Sequence, residues 1–143
     1  MKTTYRMKAS ITDAYNTILD STIAEVGLYS GKKITAENLA NGYKYHRRVK
    51  EKGRDVDVVI HIRKPQPLKN INIMSAYPDQ NYELNYNFEK LDDKHTLITY
   101  EQINSRNKDK KAGPLFKWGM RRRFKQMEKY IRRAKKAVEQ ESE

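Results

Sequence analysis

Three histidines, His46, His61 and His95, are the side chains in this chain best suited to move a proton or hold a metal, and no cysteine stands beside them. No two of them have His-x-x-x-His spacing, and no acidic cluster with metal-ligand spacing accompanies them. The missing thiol excludes disulfides, iron–sulfur clusters, thiol catalysis and cysteine-based zinc sites. Alternation of the flanking residues puts His46 and His61 on an outer face and His95 at a strand start. Arg47 falls inward by the same alternation, and with Glu101 it could form a buried pair that anchors a ligand. The plainer alternative is two strand-end residues with their heads in water. No catalytic residue, metal site or cofactor is assigned.

A second candidate fails on spacing. Gly27-Leu28-Tyr29-Ser30-Gly31-Lys32-Lys33 invites comparison with a phosphate-binding loop. That loop needs four residues between its glycines, then Lys and a hydroxyl residue, between a strand and a helix. Here three residues intervene, Lys33 replaces the hydroxyl, and a helix comes first. The stretch reads instead as a flexible loop, with Gly27 and Gly31 allowing its mobility.

The tyrosines carry more. They outnumber phenylalanine ten to three. Period-two alternation faces Tyr5 and Met7 inward on one strand, and Tyr43 with Tyr45 on the next. It does the same for Val58 with Ile60, for Ile73 with Tyr77, and for Leu84, Tyr86 and Phe88. A buried phenol needs a partner for its hydroxyl, and leaving one unpaired costs about 1–3 kcal/mol. Several inward tyrosines therefore mark either a cavity holding water or a polar-tipped ligand, or core and sheet-edge tyrosines whose hydroxyls reach solvent.

The net charge of +12 is unevenly spread. From Arg106 to the C-terminus there are 14 Lys/Arg and 5 Asp/Glu. Within that segment Met120, Phe124, Met127, Ile131, Ala134 and Val138 recur at alternating spacings of four and three. This is one apolar stripe of an amphipathic helix. Pro114 suits its first position, so the helix is predicted from Pro114 to about residue 140, with Glu141 and Glu143 frayed. Arg121, Arg122, Arg123, Lys129, Arg133 and Lys136 flank the stripe, and Glu128 is placed to pair with Arg132. Such a face is either a solvated surface or a contact for nucleic acid or an anionic membrane surface. Aromatic interleaving for base stacking is thin, with only Trp118 and Tyr130 near the charges.

These side chains need a scaffold. Residues 2–9 alternate as a half-buried strand. Ser10 caps a helix that carries Ala14, Ile18 and Leu19 inward, and a second short helix is expected over Ser21–Val26, ending at Gly27. Residues 31–39 read as loop with a possible helical turn. Five strands joined by short turns follow, between Asn41 and Ile103, as an antiparallel meander. The last of them leaves its register open between Leu97/Ile103 and Ile98/Tyr100. A polar loop over residues 104–113 then leads to the helix. The sheet and the helix each have one face to bury, and they can satisfy each other if the sheet curls around the helix. The N-terminus has no apolar signal region and no run long enough to span a membrane, so a cytoplasmic location is expected.

This order resembles the helix-grip fold of the START-like, polyketide-cyclase-like superfamily (SRPBCC). The resemblance covers nearly the whole chain. Gly42-Tyr43-Lys44-Tyr45, Thr99-Tyr100-Glu101 and the basic closing helix further resemble a small bacterial family of unknown function within it. The resemblance implies an α+β domain over residues 1–143, with a six-stranded curved antiparallel sheet around the C-terminal helix. It also implies a cavity between the two; such cavities hold lipids, hormones, polyketides or other apolar molecules. A few members are enzymes, but they share no catalytic set that could be carried over.

The sequence is therefore read as a non-enzymatic module that holds a small, largely apolar molecule. Tyr5, Tyr43, Tyr45, Ile60, Ile73, Tyr77, Tyr86 and Phe88 would line the sheet side, and Met120, Phe124 and Met127 the helix side. The alternative is nucleic-acid or anionic-surface binding through Arg121, Arg122, Lys129, Arg133 and Lys136. Neither reading fixes a ligand or an oligomeric state.

Overall fold

The computed structural model describes residues 1–107 and 111–141. β1 (Lys2–Met7) leads into α1 (Ile11–Ser30) and the one-turn α2 (Ala36–Leu39). Then come β2 (Tyr43–Glu51), β3 (Arg54–Ile62), β4 (Asn70–Ala76), β5 (Asn81–Asp92) and β6 (His95–Asn104), and finally α3 (Pro114–Glu141). Neighbouring strands are all antiparallel, in the order β1-β6-β5-β4-β3-β2. β2 to β6 form the expected meander, and β1 closes onto β6. With α3 packed against the concave face, this is the helix-grip fold.

The period-two pattern explains the strands. On β3, Val58, Ile60 and Ile62 are buried; on β5, Tyr86 and Phe88 are. The open register of β6 resolves with Thr96, Ile98 and Tyr100 inward, opposite Met7, Tyr5 and Thr3 of β1. Thr96 can be buried because its hydroxyl donates to the Ala9 carbonyl at 2.9 Å.

The helices differ from expectation. α1 runs unbroken through Gly27, so neither the short second helix nor a flexible loop from Gly27 exists. Glycine inside a helix costs only about 1 kcal/mol relative to alanine. Here Thr22 and Val26, both buried, hold the flanking turns on the sheet. The stop is Gly31, which adopts φ 70° as the left-handed C-cap. Ser10 caps the start as expected, its Oγ accepting from the Asp13 amide at 3.1 Å. The ambiguous stretch before β2 resolves into α2, whose Leu39 is fully buried. Gly42 follows at φ 87°, where a Cβ would stand 3.2 Å from the Ile62 carbonyl oxygen, so this tight entry to β2 requires glycine.

α3 grips with only part of its stripe. Met120, Phe124 and Ile131 are buried and Met127 is half-buried, but Ala134 and Val138 are exposed. There α3 faces polar side chains of α1: Ala134 and Val138 share an open groove with Asp13, Asn16, Thr17 and Asp20, and Lys135 pairs with Asp13 at 3.1 Å. The stripe also contains a charge. Glu128, four residues after Phe124, is buried, and its Oε1 accepts from the Lys8 amide at 2.8 Å. It also lies within hydrogen-bonding reach of the Tyr5 hydroxyl. It is thus not the partner expected for Arg132; it caps the backbone that leaves β1. Residues 108–110 of the expected polar loop, and the expected frayed Glu143, lie outside the described residues.

Candidate functional site

The concave face of the sheet is occupied unequally. Under α3 it is filled. The Tyr5 ring stacks on Phe124 at 5.3 Å, and Tyr86, Tyr100 and Phe116 form a chain of ring contacts at 5.0 and 5.9 Å. Met7, Phe88, Ile98 and Met120 complete this cluster. The space expected between sheet and C-terminal helix is therefore taken by side chains. Tyr15 from α1 packs edge-on against Phe88, with its hydroxyl buried.

Under α1 the filling is incomplete. Thr22, Glu25, Val26 and Tyr29 stand at i, i+3, i+4 and i+7, one face of a continuous helix. The first three of them, with Tyr45, Arg47, Ile60, Ile62, Ile73, Ser75 and Leu84, line a cavity of about 70 Å³. Val26, Ile60, Ile62, Ile73 and Leu84 give it aliphatic surface, and Thr22, Glu25, Tyr45, Arg47 and Ser75 bring polar groups to it. The Arg47 guanidinium lies over the Tyr29 ring, 3.4 Å from the centroid. Arg123 comes from α3 to within hydrogen-bonding reach of the Tyr86 hydroxyl. The Glu25 carboxylate acts on Tyr45, Tyr86 and Tyr100 together.

Burial pushes the Tyr100 phenol up to about 12, and it raises Tyr86 and Tyr45 as well; the Glu25 charge adds to each shift. These hydroxyls stay protonated at neutral pH. The arrangement can hold a small molecule by an apolar body and one polar group.

The other sequence candidates fall elsewhere. Tyr43 belongs with Val26, Leu39 and Ile62 at the lower end of the same half, its ring 6.1 Å from Tyr45. Tyr77 lies past the end of β4, edge-on to Tyr82 at 5.3 Å, and joins neither core cluster. Tyr5, Tyr86, Phe88, Met120 and Phe124 belong to the filled half, with Met127 partly buried against it. Ile60 and Ile73 line the cavity.

Arg47 and Glu101 do not meet, because they stand on β2 and β6, four strands apart in the sheet. Glu101 also has the parity opposite to buried Tyr100, so it points away from the concave face. His46 lies on the outer face with Asp57 at 3.1 Å, and His95 pairs with Asp92 at 2.9 Å. Among the described residues no group of His, Asp and Glu could hold a metal ion. Among them, too, no helix is long and apolar enough to cross a membrane.

Sequence reasoning missed Thr22, Glu25 and Tyr29. Their shared face is legible once α1 is taken as continuous to Ser30, and ending the helix at Gly27 hid it. Ser75 and Arg123 gave no sequence signal, because one is a lone small polar residue and the other is one cation among many.

Residues 1–116 match the family described as Domain of unknown function (DUF3284). The chain belongs to that family. The DUF3284 match takes in every strand, α1 and α2, and so all the cavity wall. A protein from Chromobacterium violaceum is 14% identical, with 92% of this chain and 95% of that one covered and a TM-score of 0.52; the two share a fold. The chain is also similar to the ZhuI aromatase/cyclase from Streptomyces, at 12% identity, 79% and 69% coverage and a TM-score of 0.47. A START superfamily protein from Mycobacterium smegmatis is 16% identical, with 94% and 97% coverage and a TM-score of 0.45. No curated protein matches the sequence.

Proposed function

We propose that this DUF3284 protein is a binding module for a small, largely apolar molecule carrying one polar group, held between α1 and strands β2–β5. The observation that supports this reading is that Glu25, Arg47 and Tyr45 line one cavity together with Val26, Ile60, Ile62, Ile73 and Leu84. The apolar body rests on Ile60, Ile73 and Leu84, and the polar group meets the charged rim. Such a division of labour is usual for small-molecule sites.

The cavity volume of about 70 Å³ accommodates about two waters at about 30 Å³ each. A larger guest enters when Arg47 leaves Tyr29. That contact is worth about 0.5–1 kcal/mol at an exposed site, which a ligand readily offsets.

The test is a fluorescence titration with the apolar dye ANS. Saturable binding is expected for the wild type. It should be lost in Ile73→Trp, which fills the cavity, and in Ser75→Leu, which narrows it, while the circular dichroism spectrum is retained. Absence of saturable binding, or binding unchanged by both fillings, overturns the reading. Native mass spectrometry of protein purified from its own cell would identify a retained ligand by mass.

A further inference from the structure

We propose that the outer face of the first half of α3 docks on an anionic lipid bilayer. Leu115 and Trp118 would enter the interface, and the cations around them would hold the headgroup phosphates. Three independent features meet there. The first is apolar exposure: Leu115 is 85% exposed and Trp118 is 61% exposed, and neither has a core partner. The second is charge. Residues 111–127 contain six Lys/Arg and no Asp/Glu, and all six cations are exposed. The nearest acid along the helix is Glu128, whose Oε1 accepts from the Lys8 amide at 2.8 Å.

The third is alignment. Leu115, Trp118, Arg122, Lys125 and Lys129 follow at i, i+3, i+7, i+10 and i+14, one stripe lying opposite the buried stripe of Met120, Phe124 and Ile131. Arg122 holds its guanidinium 5.6 Å from the Trp118 ring centroid, so a cation travels with the aromatic. Beside the stripe, Lys117, Arg121 and Lys125 share an open groove of about 520 Å³ with Arg6, Lys8 and one acid, Glu128. None of these five cations forms a salt bridge among the described residues. A groove with five cations to one acid, beside an exposed Trp, suits a phosphate attached to an apolar chain.

A bilayer fits this face better than a nucleic acid does. Single-stranded binding uses successive aromatic platforms, and this stripe has one. An exposed leucine gains nothing from a phosphodiester backbone, whereas Trp and Leu beside Lys/Arg are the composition of an interfacial helix. With only two apolar anchors the docking is electrostatic in the main, reversible and sensitive to salt. It does not depend on the cavity reading. The Ser75→Leu variant, emptied of ligand binding, should still dock, so the two ideas fail separately.

Trp118 is the only tryptophan in the chain, so its emission reports the contact directly. The experiment adds vesicles of phosphatidylcholine alone, or of equal parts phosphatidylcholine and phosphatidylserine, and follows emission and co-sedimentation. The expected result is a blue shift and sedimentation with the mixed vesicles only. Both should be reversed at about 1 M salt, where the screening length falls to about 3 Å. Arg121→Gln with Arg122→Gln should weaken binding about thirty-fold, on about 1 kcal/mol per cation near the surface. Bromolipid quenching of Trp118 should place the ring at the interface. These residues are exposed, so melting curves should not move. The proposal is overturned by no shift with the mixed vesicles, by equal binding to phosphatidylcholine alone, or by a double variant that binds as well as the wild type. Duplex DNA binding in place of vesicle binding overturns it as well.

Discussion

The two halves of the concave face are built from similar strands yet end differently. Under α3, rings meet rings: Tyr5 on Phe124, and Tyr86 on Tyr100 on Phe116. Under α1, Thr22 and Val26 face Ile60, Ile73 and Ser75, and the shorter side chains leave space. The volume of the side chains that strand and helix present to each other decides where the cavity lies. Large aromatics on both sides close the gap, and small or branched residues on both sides leave it open. The filled half is therefore the stability element, and the incompletely filled half is where a ligand could be exchanged at little cost.

This contrast can be broken by mutation. Phe124→Ala in the filled half should cost about 3–5 kcal/mol by urea denaturation, since it removes a fully buried ring. Ile60→Val at the cavity should fall near the lower end of about 0.5–1.5 kcal/mol, because its surroundings are already loose. Comparable losses at the two positions would remove the distinction.

Glu128→Ala comes next, at about 1–3 kcal/mol, because it strands the Lys8 amide and the Tyr5 hydroxyl. Glu128→Gln keeps an acceptor and should recover much of the loss in the same denaturation curves.

The tyrosines sharpen the comparison through pH. Tyr100 ionises in the fold only at about 12, above its ordinary value, and Tyr86 is raised in the same direction. A phenol with a raised folded value contributes its stability fully below about 10 and loses it as pH climbs towards about 12. Absorbance at 295 nm should show the exposed tyrosines ionising first. The buried ones should follow only with loss of the circular dichroism signal. Smooth ionisation of every tyrosine before unfolding would mean the aromatic half is looser than its ring contacts imply.

The smallest expected effect on stability is at the mouth. Arg47→Ala should cost no more than about 0.5–1 kcal/mol, yet it should speed ANS association measured by stopped flow. An unchanged rate would show that Arg47 does not guard the opening.

Much of the sheet was legible beforehand, because alternation of apolar and polar residues is set by the strand itself. Val58, Ile60, Ile62, Tyr86 and Phe88 all face inward as their spacing says. The site was less legible. Gly27 carries the residue type of a helix end, but it sits where α1 is already pinned by Val26, so the break falls at Gly31. With that boundary displaced, the face of Thr22, Glu25 and Tyr29 was lost from view. Glu128 was read as a solvent charge because pairing rules see only its own helix, whereas its partner is an amide 120 residues away.

What the sequence determined by itself was periodicity: which residues form strands, which face each strand buries, and that the closing helix has one apolar stripe and a basic remainder. These follow from local geometry and the side chain's preference for water or oil. What only the tertiary structure decided was how far each pattern is used. The α3 stripe is buried to Ile131 and bare at Ala134 and Val138, since the turns of α1 beside them are polar. The inward tyrosines split between a packed core and a cavity mouth, since that depends on the volume of the element opposite. Packing is a relation between distant segments, and no single segment encodes it.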